Sequence, residues 1–375
     1  MTARAGDPLR VLFVNENVGG HATMHMAIRD ELSGRADVVP RFLDVPRAGL
    51  VRRIVAVPLP ILARYDLDLQ PLRVVLAQSL LVRRRLARTA PFDVLHVYTQ
   101  QAALLSASVV RDHPSVVSTD ATGVQGAAIL PYRPVGRGTA PRVKLQRHWE
   151  DRVYGAATHV IAKSEWTAAS LRADYGVPDD RLSVIPFGVM VPRSLPDRRE
   201  QIGLPEVTFV GATMARKGGW RVLRVFRRAL RGRCVLNIVT HERVDPEPGV
   251  CVVGDLQPGD PRLDELLART AVFAFPSEID TFGNAVVEAM ARAVPVVAAR
   301  VNALSEIVDD GVTGLLVDPG DDDQLETAIS SLLDDEERRR RMGVAARARV
   351  LERFDARVTT ARLLEVLRRA YEQPR

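Results

Sequence analysis

Between residues 272 and 320 one unit occurs twice in succession: a short β-rich apolar run, a polar loop, and an apolar run at helical spacing. VFAF (272–275) is closed by Pro276, and Phe282-Gly283-Asn284 opens AVVEAMARA. PVVAA (295–299) is followed by a loop, by ALSEIVDD and by the next strand, GLLV (314–317). Apolar runs of four or five residues bounded in this way read as strands covered on both faces, and strands separated by helices pair in parallel. The same alternation fills the N-terminal half. RVLFVNE (10–16), a helix HATMHMAIRDELSG stopped at Gly34, VVPRFL (38–43), FDVLHVY (92–98), a helical QAALLSASVV, SVVST (115–119), HVIAKS (159–164) and RLSVIPFG (181–188) follow one another. At 375 residues, 46% hydrophobic and 26% charged, the chain suits two domains, each able to bury a core. The predicted class is α/β, with doubly wound parallel-sheet domains at 1–190 and 191–353 joined through the Pro- and Arg-rich stretch 188–205.

Two loops carry charge where such sheets bind ligands, outside the carboxyl ends of the strands. Asp280 sits in the loop after VFAF, and Glu288 lies eight residues on, about one turn into the helix, so both can face that crevice. Each acid alone would ordinarily be a solvated surface group. The amides of Phe282, Gly283 and Asn284 open the helix, where unpaired N–H groups and the helix dipole favour an anion. Upstream, VTFVGATMARKGGW (207–220) runs from a strand through Gly211 to Gly218-Gly219 and the basic helix WRVLRVFRRAL. The chain has three lysines, Lys144, Lys163 and Lys217, against 49 arginines, so arginine fills nearly every generic basic position. Lys217 beside a flexible Gly-Gly can reach a phosphate oxygen as a point charge, and Arg216 can grip it with a planar fork. The plainer reading of the pair is a surface cap on a helix start.

Taken together, PS-x-x-D-x-FG-x-x-x-x-EAMA, then PVV, then E-x-V-x-DG-x-TG-LLV, resembles the donor-sugar signature of glycosyltransferase family 4. The resemblance implies a GT-B fold, two Rossmann-like domains facing a central cleft, and a final helix (354–375) crossing back to the first domain. It implies a retaining enzyme that moves a sugar from a UDP- or GDP-linked donor to an acceptor hydroxyl, without a cofactor or a metal. By that resemblance Arg216, Lys217, Asp280 and Asp120 are the catalytic candidates. Gly20, Thr281, Phe282, Gly283, Asn284 and Glu288 complete the donor side, Glu288 at the ribose and Asp280 at the sugar. Gly19, His21 and Asp120 face the acceptor. The chain departs from the family pattern at Asp280, where glutamate is usual, at Ala293 and Asn302, where glycine is common, and at Ala212, where many members carry Gly-Arg.

The remaining signals are softer. Gly19-Gly20 suits a close backbone approach to a phosphate or a plain βα turn, and VNENVGGHATM lacks dinucleotide-fingerprint spacing. His21 and His25, at i and i+4, suit a metal only with a third ligand, which is not evident, and read as first-turn surface or acceptor-facing residues. Trp149, Glu150 and Ser164-Glu165-Trp166 read as structural, and Thr240-His241-Glu242 as neighbours of the nucleobase. Cys234 and Cys251 lie in strand-like runs and are expected in the core. Residues 1–190 carry 24 basic and 17 acidic side chains, and residues 191–375 carry 28 and 29. Much of the excess lies in 47–88, which either meets an anionic membrane face or packs on its own domain with arginines in water. No aromatic-basic interleaving or finger spacing marks a nucleic-acid binder. With no apolar leader or spanning run, a cytoplasmic enzyme is expected, peripheral at most to the inner membrane face. A nucleotide-sugar binder or epimerase of the same fold is the alternative; a dehydrogenase would need the missing glycine fingerprint.

Overall fold

The computed structural model describes residues 7–15, 21–45, 55–57, 70–129, 139–195, 203–254, 256 and 259–373. The chain forms two compact units, residues 1–186 with 360–375 and residues 187–359. The first unit holds β1 (Leu9–Asn15), β2 (Val38–Asp44), β3 (Val94–Val97), β4 (Ser115–Thr119), β5 (His159–Ala162) and β6 (Leu182–Val184). These pair in the order β2-β1-β3-β4-β5-β6, parallel throughout. The chain therefore steps one way from β1 to β2 and the other way to β3, which puts a topological switch point between β1 and β3. Their apolar runs are buried because helices pack on the sheet: Val11, Phe13, Val94, Leu95, Val116 and Val160 have almost no exposed surface.

The helical reading of residues 101–110 divides into Gln100–Ala103 and Ala107–Asp112. Farther along, helix Glu165–Tyr175 is fixed at both ends by its sequence. The Ser164 side chain accepts from the Thr167 amide, and Gly176, at φ 62°, closes the last turn. Helix Gln70–Leu86 presents the described part of the basic segment. Leu72, Ser79, Val82 and Leu86 are buried and Arg83, Arg84 and Arg85 are exposed, so its apolar side is spent within its own unit. The rest of that segment, apart from residues 55–57, 87 and 88, lies outside the described residues, as do Gly19 and Gly20.

The second unit repeats the plan with β7 (Glu206–Val210), β8 (Val235–Val239), β9 (Val250–Val253), β10 (Thr270–Phe275), β11 (Val296–Ala299) and β12 (Gly314–Val317). The order is β12-β11-β10-β7-β8-β9, again all parallel, so its switch point falls between β10 and β7. Phe209, Phe273 and Phe275 stack in its core. The expectation that both cysteines are buried fails at Cys251. Cys234 is buried, but β9 is the edge strand, covered poorly on both faces, and Cys251 is exposed. Among the described residues two non-glycines have positive φ, Ala293 at 55° and Asn302 at 45°. These are the two positions where the family signature commonly has glycine, so the backbone keeps a glycine shape without the glycine. Asn tolerates it better than Ala.

Candidate functional site

The loops after β7 and β10 leave adjacent strands at the switch point of the second unit, and side chains join them there. Lys217 closes a single helical turn, Met214–Lys217, that ends at Gly218 with φ 79°. A Cβ on Gly218 would stand 2.4 Å from the Pro276 carbonyl oxygen, and one on Gly219 would stand 2.5 Å from Met214 Sδ. The glycine pair is thus a packing requirement that seats the Lys217 turn against the end of β10. This differs from the flexible tether expected of Gly218-Gly219. Ser277, fully buried, donates to the Arg216 carbonyl at 3.2 Å and is 2.9 Å from the Ile279 carbonyl.

On this seat the Lys217 ammonium forms an ion pair with Asp280 Oδ2, both side chains largely buried at 15% and 8% exposure, with the Phe275 ring 5.4 Å below. Burial pushes the Lys217 pKa down, Arg216 adds to the depression, and the Asp280 carboxylate opposes it. Asp280 is held by its backbone as well, since Asn302 Nδ2 donates to its carbonyl at 3.0 Å. The Phe282 amide is 3.5 Å from Oδ1. Helix Asn284–Ala291 begins after Gly283, at φ 99°, where a Cβ would strike Leu304 Cδ2 at 2.5 Å. Half-buried Glu288 lies on this helix, and Arg292 Nη1 donates to its backbone carbonyl at 2.8 Å. The structure therefore brings Arg216, Lys217, Asp280, Thr281, Phe282, Gly283 and Asn284 to one strand-end region, with Glu288 on the helix that leaves it. Thr240, His241 and Glu242 follow β8, the next strand.

In the first unit the strand ends are organised from a buried carboxylate. Glu150, on helix Thr139–Ala156, has no exposed surface. Its Oε2 accepts from the Gly123 amide at 2.9 Å and the Tyr175 hydroxyl at 2.5 Å, and its Oε1 from Gln100 and Gln146 at 3.1 Å each. Burial raises its pKa, and these bonds act against the rise. One side chain so anchors the loop after β3 and the loop that carries Asp120 after β4. Asp120 Oδ1 lies 3.9 Å from His21 Nε2, and Lys163, at the end of β5, is buried. Desolvation lowers Lys163 to about 8, with Asp120 partly restoring it. His96, also buried, is held far below its usual pKa by desolvation and by Lys163.

His21 and His25 are not surface residues, being 7% and 5% exposed. His25 is enclosed by Phe42, by the Tyr98 hydroxyl at 3.1 Å from Nδ1, and by Asp44 at 3.1 Å from Nε2. Among the described residues no group of three or more His, Cys, Asp or Glu side chains could hold a metal ion. Nor is any helix there long and apolar enough to cross a membrane. Sequence reasoning passed over Lys163 and Ser277. The scarcity of lysine that singles out Lys217 applies equally to Lys163 at a strand end.

Two doubly wound parallel sheets in succession, with a buried cation and acid paired across the second switch point, give the chain the two Rossmann-like units of the GT-B fold. Residues 19–192 match the model of Glycosyltransferase Family 4 and residues 242–349 that of Glycosyl transferases group 1. The chain belongs to this glycosyltransferase family. It is 29% identical to D-inositol 3-phosphate glycosyltransferase of Nocardia farcinica over 342 residues, 83% of this chain and 74% of the relative. Among solved structures it resembles sucrose-phosphate synthase of Thermosynechococcus elongatus at TM-score 0.72 and 19% identity, over 97% of this chain and 99% of the other. HepE of Anabaena, solved with UDP-glucose, matches at TM-score 0.66 and 18% identity over 96% and 100%.

Proposed function

We propose that this glycosyltransferase is a retaining enzyme that uses a nucleotide diphosphate-sugar, UDP- or GDP-linked, to glycosylate a hydroxyl of a glycan, lipid or metabolite. The observation that carries the reading is the buried Lys217 ammonium at the β7 and β10 switch point. HepE, of the same fold, is solved with UDP-glucose. Residues 191–353 would hold the donor, with Glu288 accepting from the ribose hydroxyls and Arg216, Lys217 and the amides after Thr281 facing the diphosphate. Residues 1–190 would present the acceptor near Asp120 and His21. The enzyme would work in the cytoplasm, and any hold of the 47–88 segment on the inner membrane face would come through its arginines.

Breaking the anomeric bond gathers negative charge on the leaving phosphate. A fixed ammonium and fixed amides stabilise that charge more in the transition state than in the ground state, because they need no reorganisation as it forms. Loss of one such donor typically raises the barrier by about 3–4 kcal/mol. In the retaining course the leaving phosphate takes the acceptor proton, so no separate protein base is required. The test is thermal-shift binding of UDP, GDP, ADP and NAD, followed by slow hydrolysis of the matching nucleotide-sugar. One nucleoside diphosphate should stabilise the protein, by about 2.7 kcal/mol at a hundred times its Kd. Hydrolysis should vanish in Lys217→Ala with folding intact. Stabilisation by NAD alone would overturn the reading.

A further inference from the structure

The acid at position 280 is one methylene shorter than the glutamate usual in the family signature, and it has its own partners. Its Oδ2 holds the Lys217 ammonium, its Oδ1 faces the Phe282 amide at 3.5 Å, and its carbonyl accepts from Asn302 Nδ2 at 3.0 Å. Only 8% of its side chain is exposed. A carboxylate sunk this far, with Oδ2 committed to a cation, leaves a sugar hydroxyl at most Oδ1. The lysine in turn depends on the acid. A buried ammonium without a counter-charge loses its proton or swings out to water.

The third member comes from the loop after β11. Asn302 sits at φ 45°, a backbone shape that Asn adopts more readily than other side chains, and that shape aims its amide at Asp280. The loops after β7, β10 and β11 thus meet at one ion pair: Asp280, where the family signature usually has glutamate, holds the ammonium, and Asn302, where it commonly has glycine, holds the Asp280 carbonyl. We propose that Asp280 is a positioning residue for Lys217, fixed by Asn302, and that it acts on the donor diphosphate through the lysine instead of touching the transferred sugar. This rests on the reading of the region as a nucleotide-sugar site.

The two roles predict opposite signs for a sugar-free ligand. Removing a carboxylate near an anion site should tighten an anion by simple electrostatics, whereas removing the holder of Lys217 should loosen it. Calorimetric titration of UDP and GDP into wild type, Asp280→Asn, Asp280→Glu, Asn302→Ala, Lys217→Met and the Asp280→Asn/Lys217→Met double variant separates them, with melting curves to verify folding. Asp280→Asn should weaken the better nucleoside diphosphate by about tenfold or more, the worth of a charge-assisted hydrogen bond. Lys217→Met should weaken it at least as much, and the double variant should be no weaker than Lys217→Met alone. Asp280→Glu, which keeps the charge within reach of a flexible lysine, should restore most of the affinity. Should Asp280→Asn bind UDP or GDP as tightly as wild type, or tighter, while turnover of the nucleotide-sugar collapses, the acid reads the sugar and the assignment is overturned. If Asp280→Asn does not fold, Asn302→Ala decides instead: weaker diphosphate binding supports the assignment, and unchanged binding removes the tether from it. Wild type that binds neither nucleotide overturns the donor-site reading itself, a failure visible before any variant is made.

Discussion

The two units share a doubly wound parallel plan with different strand orders, and they use their strand ends in opposite ways. In the second, the charged groups sit at the ends of neighbouring strands and bind each other directly, Lys217 to Asp280, with glycines and Ser277 pressing the loops together. In the first, a carboxylate from a helix reaches up beneath the strand-end loops and holds them from behind, and the buried ammonium of Lys163 has Asp120 acting on it from the loop after β4. One unit therefore places its charge in the loops themselves, and the other in the scaffold under them. A helix-borne anchor leaves the loops above it free to differ in chemistry, whereas a loop-borne ion pair ties the loop sequence to its task.

The largest effect that would test this contrast is Glu150→Ala. It strips the acceptor from the Gly123 amide, the Gln100 amide and the Tyr175 hydroxyl at once. At about 1–3 kcal/mol for each buried group left unpaired, the loss should reach about 3 kcal/mol or more in urea unfolding. A loss below about 1 kcal/mol would mean that water replaces the anchor and that the first unit's loops are not held from behind. Next comes Gly218→Ala, which meets the Pro276 carbonyl at 2.4 Å in a left-handed backbone at φ 79°. About 2 kcal/mol should be lost, together with nucleoside diphosphate affinity, because the Lys217 turn must move. Stability lost with affinity retained would show that the seat and the cation are separable.

Lys163 gives a pH test. Its native pKa is about 8, against 10.5 in a free lysine. Between these values the unfolded chain carries a proton that the native chain has released, so this group's contribution to stability rises with pH from about 8 towards 10.5. Below pH 8 the buried charge penalises the native state in full. Wild type should therefore gain up to about 1.4 kcal/mol per pH unit, relative to Lys163→Met, across that window. Parallel curves for the two proteins would place the ammonium in contact with water. The smallest effect is expected at Ala293→Gly, which relieves φ 55°. A gain of about 0.5–1 kcal/mol in thermal melts follows from the left-handed penalty less the entropy that glycine adds to the unfolded chain.

The same contrast explains what could be read from the sequence. The charged loops after β7 and β10 were legible because each lies within a dozen residues of one strand, in runs whose glycines, acids and cations are contiguous. That Lys217 and Asp280 touch was not legible, since they are 63 residues apart and meet only because β7 and β10 are neighbours. Glu150 reads as structural in sequence, but what it holds was not legible, since Gly123, Tyr175 and Gln100 lie 27, 25 and 50 residues away. His25 misled because a helix's first turn is usually wet, and here Phe42 and Tyr98 cover it. Cys251 misled because an apolar run does not say whether its strand is central or at an edge.

The sequence by itself determined the strands, the helices and the parallel pairing, because hydrophobic period and turn residues are local properties and βα alternation leaves a parallel sheet as its simplest burial. It also determined which loops carry charge. Tertiary structure alone decided strand order, hence the position of the switch points, and with it which charge meets which. Ion pairs, buried pKa values and the seating of Gly218 on Pro276 depend on the approach of segments far apart in the chain, and their energies exist only once water has been excluded between them.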